Sequence, residues 1–390
     1  MRHHRSIKKA NLLYGISLIA FFSGLHLSIP VYFNSSFLST LIDEKTISLI
    51  YLIISSLTIF GLLLMHNILA RFGNLRTSIA LILLQSIVFY QFINAKSSSA
   101  TIAFFILSMS IISLIIFTLD IFIQKSTDIG HTGRIRGLVM TISNIAWILG
   151  PLIGGMLISG DSYRNVYIAS FTLLFPMLYL IQKNFNNFHD SKYTTISARE
   201  TVVRILDDKD ISKVFMVNII LQSFYAWMTV YIPIYLHNVI HFSFAEISII
   251  FTIMLIPFVL VDIPLGKLAD KKWGEKEMMA IGFLIMAIST GSLFLFTVKS
   301  VFVWAAMLFI TRIGAATAEL MIETYFFKKV DGRDPEVLSM FRITRPLSYF
   351  VAPLIVTISL VYTTEQNLFL VFGVLCLLTV YPILKIKDTN

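Results

Sequence analysis

The chain has 390 residues, of which 56% are hydrophobic and 14% charged, and its mean hydropathy is +0.81. A soluble globular chain carries about a quarter of its residues as charges, so this composition excludes a protein surrounded by water and points to lipid. The single cysteine, Cys376, excludes a disulfide framework and any CxxC site, while the net charge of +9 raises nucleic acid as a partner, a question decided by where the basic residues fall.

Taken in chain order, twelve stretches offer the roughly 20 apolar residues needed to cross about 30 Å of hydrocarbon. They are 11–33, 46–68, 76–95, 100–123, 136–159, 164–182, 213–236, 246–265, 277–297, 301–326, 339–361 and 367–386, designated spans 1 to 12. A basic leader (Arg2, Arg5, Lys8, Lys9) precedes the first as in a signal peptide, but that run is too long for an h-region and has no small-residue cleavage site. Twenty-four of the 31 Lys and Arg lie at the two termini and in loops 2/3, 4/5, 6/7, 8/9 and 10/11, against Lys45, Lys96, Arg164 and Lys299 in the opposite loops. The positive-inside rule then puts both termini in the cytoplasm of a multi-pass protein of the cytoplasmic (inner) membrane. The charge records topology, and with no basic and aromatic cluster on a soluble face nucleic acid drops out as a partner.

The polar stretch 183–210 divides the spans six and six, giving an expected bundle over 1–182, a cytoplasmic linker, and a second bundle over 211–390. Its segment ISARETVVRILDD has the pattern of a short amphipathic helix on the membrane face. The halves also repeat. Ile29-Pro30-Val31-Tyr32 returns as Ile232-Pro233-Ile234-Tyr235, Ile47-Ser48-Leu49-Ile50 as Ile247-Ser248-Ile249-Ile250, Gly73 as Gly274, Asp120 as Glu323 and Pro151 as Pro353, all at offsets of 200 to 203 residues. Six spans per unit leave both halves with the same orientation, the arrangement of transporters that rock two bundles about a midplane site.

Loop 8/9 reads Gly266-Lys267-Leu268-Ala269-Asp270-Lys271-Lys272-Trp273-Gly274. It resembles the G-x-L-A-D-R-x-G-R-R signature of the major facilitator superfamily, with one additional residue before the second glycine. The first-half copy, His66-Asn67-Ile68-Leu69-Ala70-Arg71-Phe72-Gly73, lacks the leading Gly and the Asp. The resemblance implies an all-α fold of twelve transmembrane helices in two pseudo-symmetric six-helix bundles. It also implies a cytoplasmic latch whose candidates are Gly266, Asp270, Lys271 and Gly274, with Arg71 and Gly73 in the weaker copy. Span 5 holds Gly150-Pro151-Leu152-Ile153-Gly154-Gly155, similar to the G-P-x-x-G-G core of the family's drug:proton antiporters; ordinary close packing of small residues is the alternative reading.

Span 10 carries Arg312, Glu319 and Glu323, whose spacings put all three within about 40° on one helix face. Charges at such depth are costly and by default mark a functional pathway. At 1.5 Å per residue Glu319 lies about 10 Å inward of Arg312 and is the proton-carrier candidate. A permanent Arg312 to Glu319 brace is the alternative. Glu323 and its repeat mate Asp120 lie near the cytoplasmic edge and read as latch groups facing cations such as Arg342 and Arg345.

If the family's cavity is shared, His26, Asn144, Trp147, Gln222 and Tyr225 are its polar or aromatic candidates; a lone histidine in a helix can equally be a hydrogen-bonded packing residue. The expected activity is proton-coupled export of a small molecule by alternating access, with uptake of a sugar or other metabolite, or a transport-inactive sensor on the same fold, as alternatives. The expected partners are the lipid bilayer, a small-molecule substrate and protons, acting on a monomer. No GxxxxGK[ST] loop, HExxH or GxSxG occurs, so the reading has no enzyme activity, metal or cofactor.

Overall fold

A computed structural model describes residues 2–126, 132–158, 162–186, 188, 198–260, 274–329 and 335–387. Asp262, Gly266, Asp270 and Lys271 lie outside them. All regular structure among the described residues is helical, apart from an isolated bridge residue in the loop before Arg164. Two compact units divide the chain: Met1–Leu41 with Ser56–Thr195, and Ile42–Ser55 with Ile196–Asn390.

The first unit contains α1 (Arg2–Val31), α2 (Asn34–Ser39), most of α3 (Glu44–Phe72), α4 (Asn74–Asn94), α5 (Ser98–Ser126), α6 (Thr132–Leu157), α7 (Arg164–Thr172) and α8 (Leu174–Phe185). Its core joins Ile16 and Ile19 of α1 to Ile82, Ile115, Phe122, Met177 and Ile181. The second unit contains α9 (Ala198–Asp207), α10 (Lys209–Val230), α11 (Ile232–Asn238), α12 (Phe244–Leu255), α13 (Pro257–Leu260), α14 (Glu275–Ser292), α15 (Val301–Lys329), α16 (Pro335–Tyr362) and α17 (Leu368–Leu384). The first part of α3, up to Ser55, belongs here, with Ser48 Oγ 2.8 Å from the Tyr231 hydroxyl.

Ten segments among the described residues are long and apolar enough to cross a membrane. Thr141–Leu157 and Phe244–Leu260, where spans 5 and 8 are expected, are shorter. Polar Arg134 and Arg136 occupy the start of α6, and the described helix of span 8 ends at Leu260 where 246–265 is expected. Outward surfaces are apolar: Phe60, Ile87, Phe302, Tyr362 and Leu378 are exposed, with Phe302 at 82%. A surface of this kind has no place in water and needs hydrocarbon around it.

Prolines explain why several spans consist of two helices. Pro30 has no N–H to give to the carbonyl of His26, one turn earlier. Ser170 Oγ donates to that carbonyl at 2.7 Å, so the backbone group stays satisfied and α1 gives way to α2. In the second unit α10 ends at Val230 and α11 begins at Ile232, with Pro233 in its first turn. The two copies of Ile-Pro-x-Tyr therefore mark equivalent helix breaks. Pro257 likewise starts α13 after α12, which is opened by a reciprocal capping box between Ser243 and Glu246.

The repeat glycines behave differently. Gly73 has φ 78 and ψ 165, a backbone conformation open essentially to glycine alone, and it caps α4. Gly274 caps α14 with φ −63 and ψ 164, which any residue adopts. The next residue in each copy docks the helix it begins. Asn74 Nδ2 donates to the Thr118 carbonyl of α5 at 3.0 Å, while the buried Glu275 forms an ion pair with Lys328 of α15.

Candidate functional site

The site is set by how α15 is held. An added Cβ on Gly314 would meet the Gly282 carbonyl oxygen at 2.7 Å, and one on Gly282 would meet Gly314 O at 2.8 Å, so α14 and α15 approach to backbone contact. The remaining sides of α15 pack on α10, α12 and α13. Helix α10 is fixed in turn to α16: Asn218 Nδ2 donates to Thr344 Oγ1 at 2.8 Å and Ser348 Oγ to the Ile219 carbonyl at 3.0 Å.

Arg312, only 2% exposed, is buried on this scaffold. Its guanidinium carbon lies 5.2 Å from the ring centroid of Tyr225, 5.8 Å from Phe224 and 6.0 Å from Phe258. The Tyr225 and Phe258 rings are themselves 6.0 Å apart in an edge-to-face arrangement. A desolvated cation over an aromatic face gains on the order of 2 kcal/mol, less than the cost of burying an unpaired charge.

Seven residues on, Glu319 accepts a hydrogen bond from the Tyr225 hydroxyl at 2.9 Å. Tyr225 thus touches both charges, its ring against the guanidinium and its hydroxyl on the carboxylate. Among the described residues no ion pair joins Arg312 to Glu319, and Arg312 Nε is buried with no hydrogen-bond partner. Arg345 of α16 adds a second positive charge to the field at Glu319.

Glu319, Arg312 and Tyr225 are therefore gathered at one place, and Gln222 lies half-buried one turn from Tyr225 on α10. Glu323 is half-buried further along α15; Arg342 is half-buried and Arg345 exposed on α16. His26 is in the interior of the first unit, its Nδ1 2.8 Å from the Ser170 carbonyl and its ring 5.3 Å from Phe89, the placement of a packing residue. Asn144 and Trp147 are half-buried on α6, and Asp120 is half-buried on α5. Arg71 is exposed, with its guanidinium carbon 5.3 Å from the Phe72 ring. Gly150 and Gly154 lie where an added Cβ would strike Ser28 Oγ at 2.2 Å and the Ile29 carbonyl at 2.4 Å, so this glycine run packs α6 on α1.

Sequence reasoning missed Phe258, the third ring beside Arg312, and the Glu275 to Lys328 pair. Phe258 has no signal in the sequence beyond being aromatic. Glu275 could have been found from its position directly after the repeat glycine, matching Asn74 after Gly73. A separate cavity of about 20 Å³ is lined by Trp227, Tyr231, Tyr235, Leu360, Glu365 and Phe369. That is room for one water, too little for a metabolite.

The helices have the arrangement of the major facilitator fold. The Major Facilitator Superfamily profile matches residues 214–389, which contain the whole Arg312 site. Crystal structures of the nucleoside transporter NupG are similar over nearly the full length: one has TM-score 0.76 and 14% identity, covering 96% of this chain and 99% of the other. A point mutant of NupG gives TM-score 0.74 and 13% identity at the same coverages. No curated protein sequence matches the chain.

Proposed function

We propose that this protein is a secondary transporter of the cytoplasmic membrane that moves a small molecule by alternating access, with Glu319 as the group that carries the coupled proton. The observation that carries the reading is the Tyr225 to Glu319 hydrogen bond beside a buried Arg312. A carboxylate inside a membrane bundle is costly unless it has a use. This one accepts a hydrogen bond from a phenol and lies near two arginines, Arg312 and Arg345. A conformational change that separates α10 from α15 removes the phenol, and the carboxylate then takes up a proton.

Transport of a small organic metabolite is supported by the likeness to a nucleoside transporter over 96% of the chain. Export is the direction supported by the Gly150-Pro151-x-x-Gly154-Gly155 run in α6, and uptake is the second reading. In a Cys376→Ser background, cysteines introduced at Gln222 and its neighbours on α10 test the mechanism itself. Membrane-impermeant labelling from each side that changes reciprocally with pH or substrate supports alternating access. Labelling that stays the same under every condition would leave the fold without a transport role.

A further inference from the structure

The geometry points to a planar carboxylate as the substrate group that Arg312 binds. This rests on the transporter reading of the same site and deepens it by naming the substrate class. Arg312 is a fully charged side chain at 2% exposure. Three rings flank its guanidinium: Tyr225 at 5.2 Å, Phe224 at 5.8 Å and Phe258 at 6.0 Å. Rings offset part of the desolvation of a guanidinium but accept none of its five N–H bonds in the way an oxygen does.

The nearest carboxylate on its own helix, Glu319, is engaged by Tyr225 and forms no ion pair with it. Arg312 Nε is buried and donates to nothing. A buried cation with an unfilled donor costs several kcal/mol unless an acceptor arrives. In a transporter that acceptor is delivered by the cargo. Among the described residues, the remaining elements packed against α15 offer no competing carboxylate at this level: α13 (Pro257–Leu260) has no titratable residue, α12 has only Glu246 in its first turn, and Glu275 and Glu277 of α14 lie in that helix's first turn, while Asp262 lies outside the described residues.

The form of the acceptor follows from the donor. A guanidinium presents its N–H groups in one plane and pairs two at a time with the two oxygens of a carboxylate. Aromatic neighbours restrict the approach to a flat group. A phosphate dianion, by contrast, calls for a second cation or a helix amino terminus directly beside Arg312; the other arginine of this region, Arg345, is exposed on α16 and acts on Glu319. The other end of the cargo then meets Tyr225, Phe224 and Phe258, so a small monocarboxylic acid with a flat or apolar body fits best.

Thermal unfolding of the purified full-length protein in detergent provides the test, with benzoate, nicotinate, salicylate and pyruvate as probes against benzamide, nicotinamide, salicylamide and pyruvamide. We expect at least one acid at millimolar concentration to raise the midpoint by about 3 °C or more while its amide has no effect. The shift should disappear in Arg312→Gln and survive in reduced form in Arg312→Lys. The acid against amide comparison on the unaltered protein stands even if Arg312→Gln does not fold. Amides acting as well as acids, no response to any acid, or a response retained in folded Arg312→Gln would each overturn the inference. Stabilisation by uridine or adenosine with no response to acids would overturn it too, while leaving the transporter reading, judged by cysteine labelling, intact.

Discussion

Tyr225 and Glu319 are joined by a 2.9 Å hydrogen bond from the phenol to the carboxylate, across the contact between α10 and α15. Because the same phenol ring lies 5.2 Å from the Arg312 guanidinium, one residue of α10 contacts both Arg312 and Glu319 of α15. Arg312 and Glu319 are thus coupled through a third side chain that belongs to another helix. A helix movement can break that arrangement, whereas a direct brace within α15 would be carried along unchanged.

Tyr225→Phe isolates the hydroxyl. The ring stays against Arg312 and only the bond to Glu319 is removed, a loss of about 1.5–3 kcal/mol for a hydrogen bond to a charged group. Proton-driven transport should fall about 10-fold or more, and the unfolding temperature should fall by no more than a few degrees. Initial rates in proteoliposomes together with a melting curve check both parts.

Ser170→Ala leaves the His26 carbonyl, already deprived of a donor by Pro30, without its replacement. The expected loss is about 1 kcal/mol, the scale of side-chain hydrogen bonds inside membranes. The same change in a Pro30→Ala background should cost less, because the helical N–H at position 30 returns. Unfolding of the four proteins in a double-mutant cycle measures the coupling.

Gly73→Ala forces a side chain onto a backbone with φ 78 and ψ 165, at a cost of about 1–3 kcal/mol. Gly274→Ala carries no such conformational cost, since its φ is −63. The ordering, with Gly73 the more sensitive, should be visible in melting temperature and expression level, although the two glycines are repeat mates.

Gly314→Val inserts side-chain atoms where even a Cβ would sit 2.7 Å from the Gly282 carbonyl oxygen. Helix α15 must then move away from α14, which displaces Arg312 and Glu319 relative to Tyr225. Overpacking of this kind costs about 1–3 kcal/mol, and transport should be lost even in protein that still folds, as judged by gel filtration and activity on the same sample.

What the sequence revealed followed from periodicity and charge. The apolar runs located the helices, and the seven-residue spacing of Arg312 and Glu319 put both on one face of span 10. Tyr225 was legible as a cavity candidate together with Gln222. Its role was not, because a bond between positions 94 apart in the chain depends on the angle at which α10 crosses α15. His26 was harder still. Its ring and its carbonyl are both served by Ser170, 144 residues away, and only the packing of α7 on α1 shows that this histidine is structural. The break in span 7 has a local cause, Pro233, although the sequence reading takes 213–236 as one unbroken run. Gly73 and Gly274 matched as letters, yet their backbones differ, since loop conformation depends on what the following residue docks against.

The central claim is that Glu319 couples proton movement to transport. It is tested most directly in proteoliposomes containing a pH-sensitive dye, comparing the unaltered protein with Glu319→Gln. The account predicts that substrate-dependent proton flux disappears in Glu319→Gln while substrate exchange across the membrane, which needs no net proton movement, continues. Proton flux persisting unchanged in Glu319→Gln would contradict it and leave Glu319 as a structural partner of Tyr225.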